Sequence, residues 1–287
     1  MPFKYINPGY AELLAESSMK TTKSTTYNPT NGTAMKGSGD GYYYLPSGCS
    51  EVWVRFEFYC DTSYTWQLNC YIGSNQSKNG FYRNGKDDSK AYFQGAATKI
   101  QGTPDYACHA VWMHCKAGSD GLLEICIDGV EAFSKTGEVT WANQYVYFKS
   151  ANTSLCLSNI IISDHEIAKS EEVYILTPKT TETDMSESSG VYTANAENQY
   201  VRQTVDVAAL KAKAGSDTVF VTGLAVAAVP AYYEGDGLSS LAATKNDTEM
   251  ENVVLSTSSK AGILASWAET MSADALSNLK LGWKAKS

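Results

Sequence analysis

Two carboxylates on one face of a strand, about 5 Å apart with one as nucleophile and the other as acid, are the minimum a retaining glycosidase needs. The nearest approach to that pattern in this chain is Glu124-Ile125-Cys126-Ile127-Asp128. An extended backbone turns Glu124, Cys126 and Asp128 to the same side. The middle position is a thiol, however, and Asp128-Gly129 is a two-residue hairpin turn that itself requires the Asp. The expected reading is a solvated Glu and a turn Asp. The only histidines are His109, His114 and His165. His109 and His114 are five apart and point to opposite faces of a strand, so they cannot share a metal ion without a bulge. His109, flanked by Val111 and Met113, is expected to be half-buried and hydrogen-bonded, and His165 to lie in a turn. Ser17 and Lys20 make an isolated Ser-x-x-Lys with no companion motif. There is no nucleophile elbow, phosphate loop or dinucleotide fingerprint. Calcium could use Asp87-Asp88 or Asp120, but no ligand series supports a site. No cofactor is expected, and no enzyme activity.

The aromatic residues offer a different chemistry. Sugar rings stack on exposed aromatic faces while amides and carboxylates fix their hydroxyls. Tyr42, Tyr43, Tyr44, Trp53, Trp66, Tyr71, Phe81, Tyr82, Tyr92 and Phe93 cluster in the first third of the chain, beside the amide-rich stretch from Asn75 to Asp88. The candidate glycan-binding residues are Trp66, Asn75, Tyr82, Asn84, Asp87 and Tyr92. The competing assignment puts half of these rings in a core and the rest against a partner subunit.

The elements that would carry these residues are strands. Glu51 to Phe58 alternates Val52, Val54, Phe56 and Phe58 with Glu51, Arg55 and Glu57, the pattern of a strand with one buried face. His109–Cys115 and Leu122–Ile127 continue it, and Val130–Phe133 returns from the Asp128-Gly129 turn. Ser158–Ser163 is a compact apolar strand, and Ser170 to Tyr174 has the capping Ser and acidic first turn of a short helix. Tyr10 to Leu14 reads as one or two helical turns, and 21–48 as loops around short edge strands. Residues 177–190 are polar and lack apolar periodicity, as an interdomain linker does. Beyond them come a strand at Gln199–Val205, a helix capped by Asp206 and stopped at Gly215, a buried strand over Thr218–Val229, a helix over Ala273–Leu279 capped by Ser272, and a last strand at Leu281–Lys284. The chain is therefore expected to be mainly β: an N-terminal jelly-roll sandwich over 1–176, a linker over 177–190, and a smaller β-rich (α+β) domain over 191–287.

With 287 residues, two cores are the better expectation. A net charge of -8 without a basic cluster gives nucleic acid or an anionic membrane little to hold. No segment approaches a membrane-spanning length, and no export signal is seen at the start. Seven cysteines, an odd number without a C-x-x-C pair, predict free thiols in a reducing compartment.

The order of elements from Glu51 to Glu166 resembles laminin-G-like, concanavalin A-type jelly rolls. Together with Asn7-Pro8-Gly9-Tyr10-Ala11-Glu12-Leu13-Leu14, Tyr27-Asn28-Pro29-Thr30-Asn31-Gly32, Ile125 to Gly129, Ser158 to Ile167, Glu172-Val173, Gln203-Thr204-Val205-Asp206 and Leu281-Gly282-Trp283-Lys284, the chain resembles tail or capsid-decorating structural proteins of bacteriophages and prophages. That resemblance implies a non-enzymatic protein, assembled in the bacterial cytoplasm and displayed on a virion. It would associate with itself as a homo-oligomer and with other virion proteins, and would contact host surface glycans. The resemblance transfers no site residue. A bacterial surface lectin and a divergent glycoside hydrolase are the alternatives; the missing export signal weighs against the first and the missing carboxylate pair against the second.

Overall fold

The computed structural model describes residues 3–287 apart from 24–25, 29–30, 61–66, 74–78, 86–87, 103, 105, 142–143, 152, 232–236 and 256–260. The protein is mainly β, and its contacts divide it into two units, Met1–Val173 and Tyr174–Ser287.

The first unit is a jelly-roll sandwich of two antiparallel sheets. In the eight-stranded sheet the spatial order is β12 (Val130–Val139), β11 (Gly118–Ile127), β10 (Cys108–Lys116), β5 (Glu51–Cys60), β14 (Leu155–Ser163), β3 (Thr33–Lys36) and β2 (Lys20–Lys23), with β1 (Lys4–Asn7) also paired to β14. The six-stranded sheet runs β4 (Gly39–Tyr44), β13 (Tyr145–Ser150), β6 (Gln67–Ile72), β7 (Asn79–Asn84), β8 (Ser89–Phe93) and β9 (Ala96–Ile100). The alternation in β5 works as the sequence predicts. Val52, Val54, Phe56 and Phe58 are buried, and Phe56 and Phe58 meet Phe81 and Phe148 of the opposite sheet with centroids 5.5 to 6.3 Å apart. Asp128 and Gly129 have φ of +51° and +80°, the left-handed pair that a type I′ turn needs.

Strand β14 is buried at every position, and it is interrupted by a bulge between Ser158 and Ile161 in its pairing with β5. Asn159 sits in that bulge at φ +51°. Its amide nitrogen donates to Glu57 Oε2 at 2.7 Å and to Asn28 Oδ1 at 3.3 Å. Its oxygen accepts from Asn28 Nδ2 at 3.2 Å and Asn31 Nδ2 at 2.9 Å. Asn28 Nδ2 also reaches Pro8 O and Thr33 O, and Asn31 Nδ2 donates to Val173 O. Asn7 adds a second knot, accepting from the backbone N–H of Gly9 and Tyr10 and donating to Tyr5 Oη. These amides take over the backbone bonds that short β1, β3 and the 3₁₀ turn Ala11–Leu13 cannot make for themselves.

The segment after β14 departs from expectation. Ser170–Tyr174 forms no helix. Ile167 and Val173 instead pack on Ile161, Ile6 and Trp53 at the outer face of the eight-stranded sheet, and Glu171 pairs with Lys4. Burial of Val173 in an extended chain outweighs the local helical preference.

In the second unit a five-stranded sheet has the order β15 (Pro178–Thr183), β18 (Tyr200–Val205), β23 (Leu281–Lys286), β20 (Ser240–Lys245) and β21 (Thr248–Val254). There are also two two-stranded sheets, the hairpin of β16 (Ser186–Ser188) with β17 (Val191–Thr193), and β19 (Phe220–Ala231) paired with β22 (Ala261–Ser272) across the intervening β20 and β21. Residues 177–190 are thus not a linker. Most of the stretch is β15 and β16, with β15 an edge strand whose residues are all exposed. Ladder bonds to β18 and the β-branched Thr180, Thr181 and Thr183 hold it without apolar burial. The expected buried strand at 218–229 is also corrected. It is half of a two-stranded ribbon, with Leu224 buried but Phe220 69% exposed, since one partner strand covers only part of each face. Helix α1 (Val207–Ala214) has Asp206 accepting from the N–H of Ala208 and Ala209, and Gly215 at φ +63°. Helix α2 (Ala273–Leu276) is capped by Ser272 and is shorter than expected. Among the described residues no helix is long and apolar enough to cross a membrane.

All seven cysteines are free thiols; Cys60, Cys70, Cys115, Cys126 and Cys156 are buried, Cys49 partly so, and Cys108 exposed. Burial pushes the Cys70 and Cys115 thiols far up, so they carry negligible thiolate. A thiol-specific disulfide reagent should therefore titrate Cys108 first and Cys49 more slowly in the native protein, and all seven in denaturant. Rapid native labelling of Cys70 or Cys115 would contradict this packing. Separately, Asn159→Gly keeps the left-handed backbone and loses the amide bonds, so it should cost about 2–4 kcal/mol in urea unfolding. Asn159→Ala should cost about 1 kcal/mol more because Ala resists positive φ. Stability within about 0.5 kcal/mol of wild type for both would remove the amide network from its structural role.

Candidate functional site

The outer face of the six-stranded sheet is assembled by alternation. In β6, Leu68, Cys70 and Ile72 enter the sandwich, which leaves Gln67, Asn69 and Tyr71 on the other side. The same rule turns Tyr82 of β7, Lys90 and Tyr92 of β8, and Tyr145, Tyr147 and Lys149 of β13 outward, because Phe81, Ala91, Val146 and Phe148 are core. Register then lines these side chains up across strands. One row reads Tyr42, Tyr147, Tyr71, Gly80, Tyr92, Ala97, and the next Asp40, Lys149, Asn69, Tyr82, Lys90, Lys99.

Gly80 matters within the first row. Its φ is +149°, and a Cβ there would lie 2.2 Å from Cys70 O, so glycine is required. The missing side chain lets Tyr71 and Tyr92 close over the gap edge to face, with centroids 5.8 Å apart. Tyr82 meets Tyr92 at 5.9 Å and Tyr147 meets Tyr71 at 6.4 Å. Tyr42 extends the chain of rings to Tyr147 at 5.1 Å and Tyr145 at 5.3 Å. Between them opens a polar concavity of about 420 Å³ lined by Gln67, Asn69, Tyr71, Tyr82, Tyr92, Tyr147 and Lys149.

The phenols of Tyr71, Tyr82 and Tyr147 are held neutral. Burial is the main cause for Tyr71, with its neighbours Tyr92 and Tyr82 adding to it. For Tyr147, burial is followed by the charge of Asp40, whose Oδ1 accepts from Tyr147 Oη at 3.1 Å. Tyr82 is raised by burial and partly relieved by Lys90, whose ammonium lies 5.6 Å from the Tyr82 ring centroid and 3.2 Å from Asp88. A phenol raised in this way is a stacking surface and a hydrogen-bonding group, not a ready base.

Of the residues picked out in the sequence as glycan contacts, Tyr82 and Tyr92 line the concavity. Asn84 lies beside it, paired with Gln67 across the β6–β7 ladder. Trp66, Asn75 and Asp87 fall outside the described residues. Sequence reasoning missed Gln67, Asn69, Tyr147 and Lys149. The alternation of Tyr145, Tyr147 and Lys149 with Val146 and Phe148 was a usable signal for two of them. The amides carried no local signal.

His109, His114 and Glu124 lie on the other sheet, and Asp128 in its β11–β12 turn. His109 points into the sandwich, between Asp128 Oδ2 at 2.7 Å and Pro104 O at 2.8 Å, and is buried, not half-buried as expected. Asp128 Oδ1 accepts the N–H of Ala110, so both of its oxygens serve the turn. His114 faces outward, stacked on Trp53 with centroids 4.3 Å apart. It lies between Glu51 Oε1 at 2.9 Å and Glu124 Oε2 at 3.2 Å. Glu124 is thus engaged with a histidine and is not aligned with Asp128 as an acid pair. Among the described residues no group of three or more His, Cys, Asp or Glu side chains could hold a metal ion.

No known protein family and no curated protein matches the chain. Several solved structures align with the chain over about half its length. The endo-beta-1,4-glucuronan lyase of the fungus Trichoderma reesei aligns at 12% identity and a TM-score of 0.40, over 55% of this chain and 94% of its own. The carbohydrate binding module CBM66 of Bacillus subtilis aligns at 11% and 0.32, over 52% and 96%. The botulinum neurotoxin serotype C1 binding domain aligns at 10% and 0.40, over 58% of this chain and 50% of its own, so the match spans about half of that domain. At such identities and TM-scores the likeness assigns neither family nor function.

The raised tyrosines give a pH signature. Below about pH 10, the ordinary phenol value, both folded and unfolded chains hold these protons and the tyrosines leave stability unchanged. Above it the unfolded chain releases them while the folded chain does not, so stability falls as pH rises toward the folded values. Ultraviolet phenolate titration of the native protein should leave Tyr71 and Tyr147 un-ionised at about pH 10.5. Normal titration of all nineteen tyrosines without unfolding would contradict their burial.

Proposed function

We propose that this protein works by contact, binding glycan chains on the tyrosine-lined outer face of its six-stranded sheet. The supporting observation is the open concavity of about 420 Å³ between Tyr71, Tyr82, Tyr92 and Tyr147. Tyr92 stands at nearly right angles to Tyr71 and Tyr82 while Tyr147 lies nearly parallel to Tyr71, and rings so arranged, with Gln67, Asn69 and Lys149 between them, suit the alternation of apolar faces and hydroxyls on a sugar. None of the seven described lining residues is a carboxylate, so the pair required for glycoside hydrolysis is not supplied by the described lining. The setting we propose is the surface of a phage-like particle, in contact with copies of itself and with other virion proteins. That setting is supported by the sequence resemblance alone. Many copies on a particle would convert weak single contacts into firm attachment.

The test is retention of the purified protein on immobilised bacterial surface polysaccharides, free and coupled to beads at high density. Tyr92→Ala should lower retention about fivefold or more, the loss of one stacked ring at roughly 1 kcal/mol. Glu124→Gln should leave it unchanged. Polymer shortening that vanishes in Glu124→Gln, or release of unsaturated uronate ends that vanishes in Tyr92→Ala, would replace the contact reading with an enzymatic one.

A further inference from the structure

We infer that the sugar this face takes is acidic, and that Lys149 is the counter-ion for its carboxylate within an extended uronate chain. The inference rests on the glycan reading above and adds the class of sugar. Three observations carry it.

First, Lys149 lines the concavity without an ion pair among the described residues. Asp40 is its cross-strand neighbour in register, yet Asp40 Oδ1 is engaged by Tyr147 Oη. An ammonium in a partly dehydrated hollow favours an anionic partner. Second, Asn69 stands beside Lys149 in the same row and is 9% exposed, and its Oδ1 has no hydrogen-bond partner. A buried acceptor is rarely left unmade, and sugar hydroxyls are donors. Third, the row continues through Tyr82 to Lys90 and Lys99. Three lysines therefore share one line of this face in a protein whose net charge is -8.

The spacing favours a polymer over a single terminal sugar. From Lys149 in β13 to Lys90 in β8 there are three strand steps, about 14 Å at about 4.8 Å each. That distance exceeds one sugar ring, so carboxylates of two non-adjacent residues on an extended chain could engage Lys149 and Lys90 while Tyr82, which lies between them, stacks on an intervening ring. Lys90 is already shared with Asp88 at 3.2 Å, which leaves Lys149 as the stronger anchor.

The experiment titrates the full chain with polygalacturonate, with the same polymer after reduction of its carboxyl groups, and with sialyllactose as a single carboxylated sugar, each at low and moderate salt. Polygalacturonate should bind more tightly than the reduced polymer and than sialyllactose. Lys149→Gln should weaken polygalacturonate binding about tenfold, as loss of a charge-assisted contact does, and leave the reduced polymer unaffected. Lys20→Gln, on the eight-stranded sheet, serves as the control and should change nothing. Equal binding of the charged and reduced polymers, both weakened by Tyr92→Ala, would overturn the acidic inference and keep the glycan reading. Salt-sensitive binding that Lys149→Gln does not alter would overturn the assignment to this row, and tighter binding of sialyllactose would overturn the extended chain. Binding of none of the three ligands would overturn this inference. Retention on the surface polysaccharides described above, decided separately, then tells whether the broader reading falls with it.

Discussion

The sandwich is organised around a backbone irregularity that side-chain amides repair. Asn159 leaves the β14 ladder at φ +51°, in a strand buried on both faces, where unpaired polar groups are costly. Asn28 and Asn31 satisfy it from a loop about 130 residues earlier, and Glu57 from the neighbouring strand. The same contacts hold the N-terminal segment at Pro8 and the chain leaving the sheet at Val173. Without them β1 and β3, four residues each, would have little to fix their register. The closure of one edge of the eight-stranded sheet therefore depends on amides that read locally as turn residues.

The two sheets present different outer surfaces. On the eight-stranded sheet, Ile167 and Val173 fold back over Ile161 and Trp53, and Trp112 donates to Ile167 O at 2.7 Å. His114 is tied to Glu51 and Glu124, and His109 to Asp128 of the turn. The six-stranded sheet bears a band of tyrosines whose rings touch one another. Its rigidity comes from below: Phe56, Phe58, Phe81 and Phe148 interlock in the core, and Arg83, fully buried, donates to Gly85 O and lies 5.3 Å from the Phe58 ring centroid. A stiff aromatic surface loses little conformational freedom when it is occupied.

The sequence by itself determined what depends on neighbouring residues. The alternation of β5, the Asp128-Gly129 turn, the caps at Asp206, Gly215 and Ser272, and the opposite facing of His109 and His114 all follow from periodicity and from the φ that Gly and Asp tolerate. Alternation with the buried Phe81, Ala91 and Phe93 likewise turns the half-buried Tyr82 and Tyr92 outward. The tertiary structure decided the rest, because the deciding partners are far away in sequence. Residues 178–183 read as a linker and become a strand only because β18 offers a free edge. Residues 170–174 carry a helix signal that loses to the burial of Val173 against Ile161. Asn69 and Lys149 acquire meaning only where β6 and β13 pair and set them side by side. Register, which arises from the summed ladder and core packing of whole strands, places them there, and no local pattern of amide or lysine encodes it.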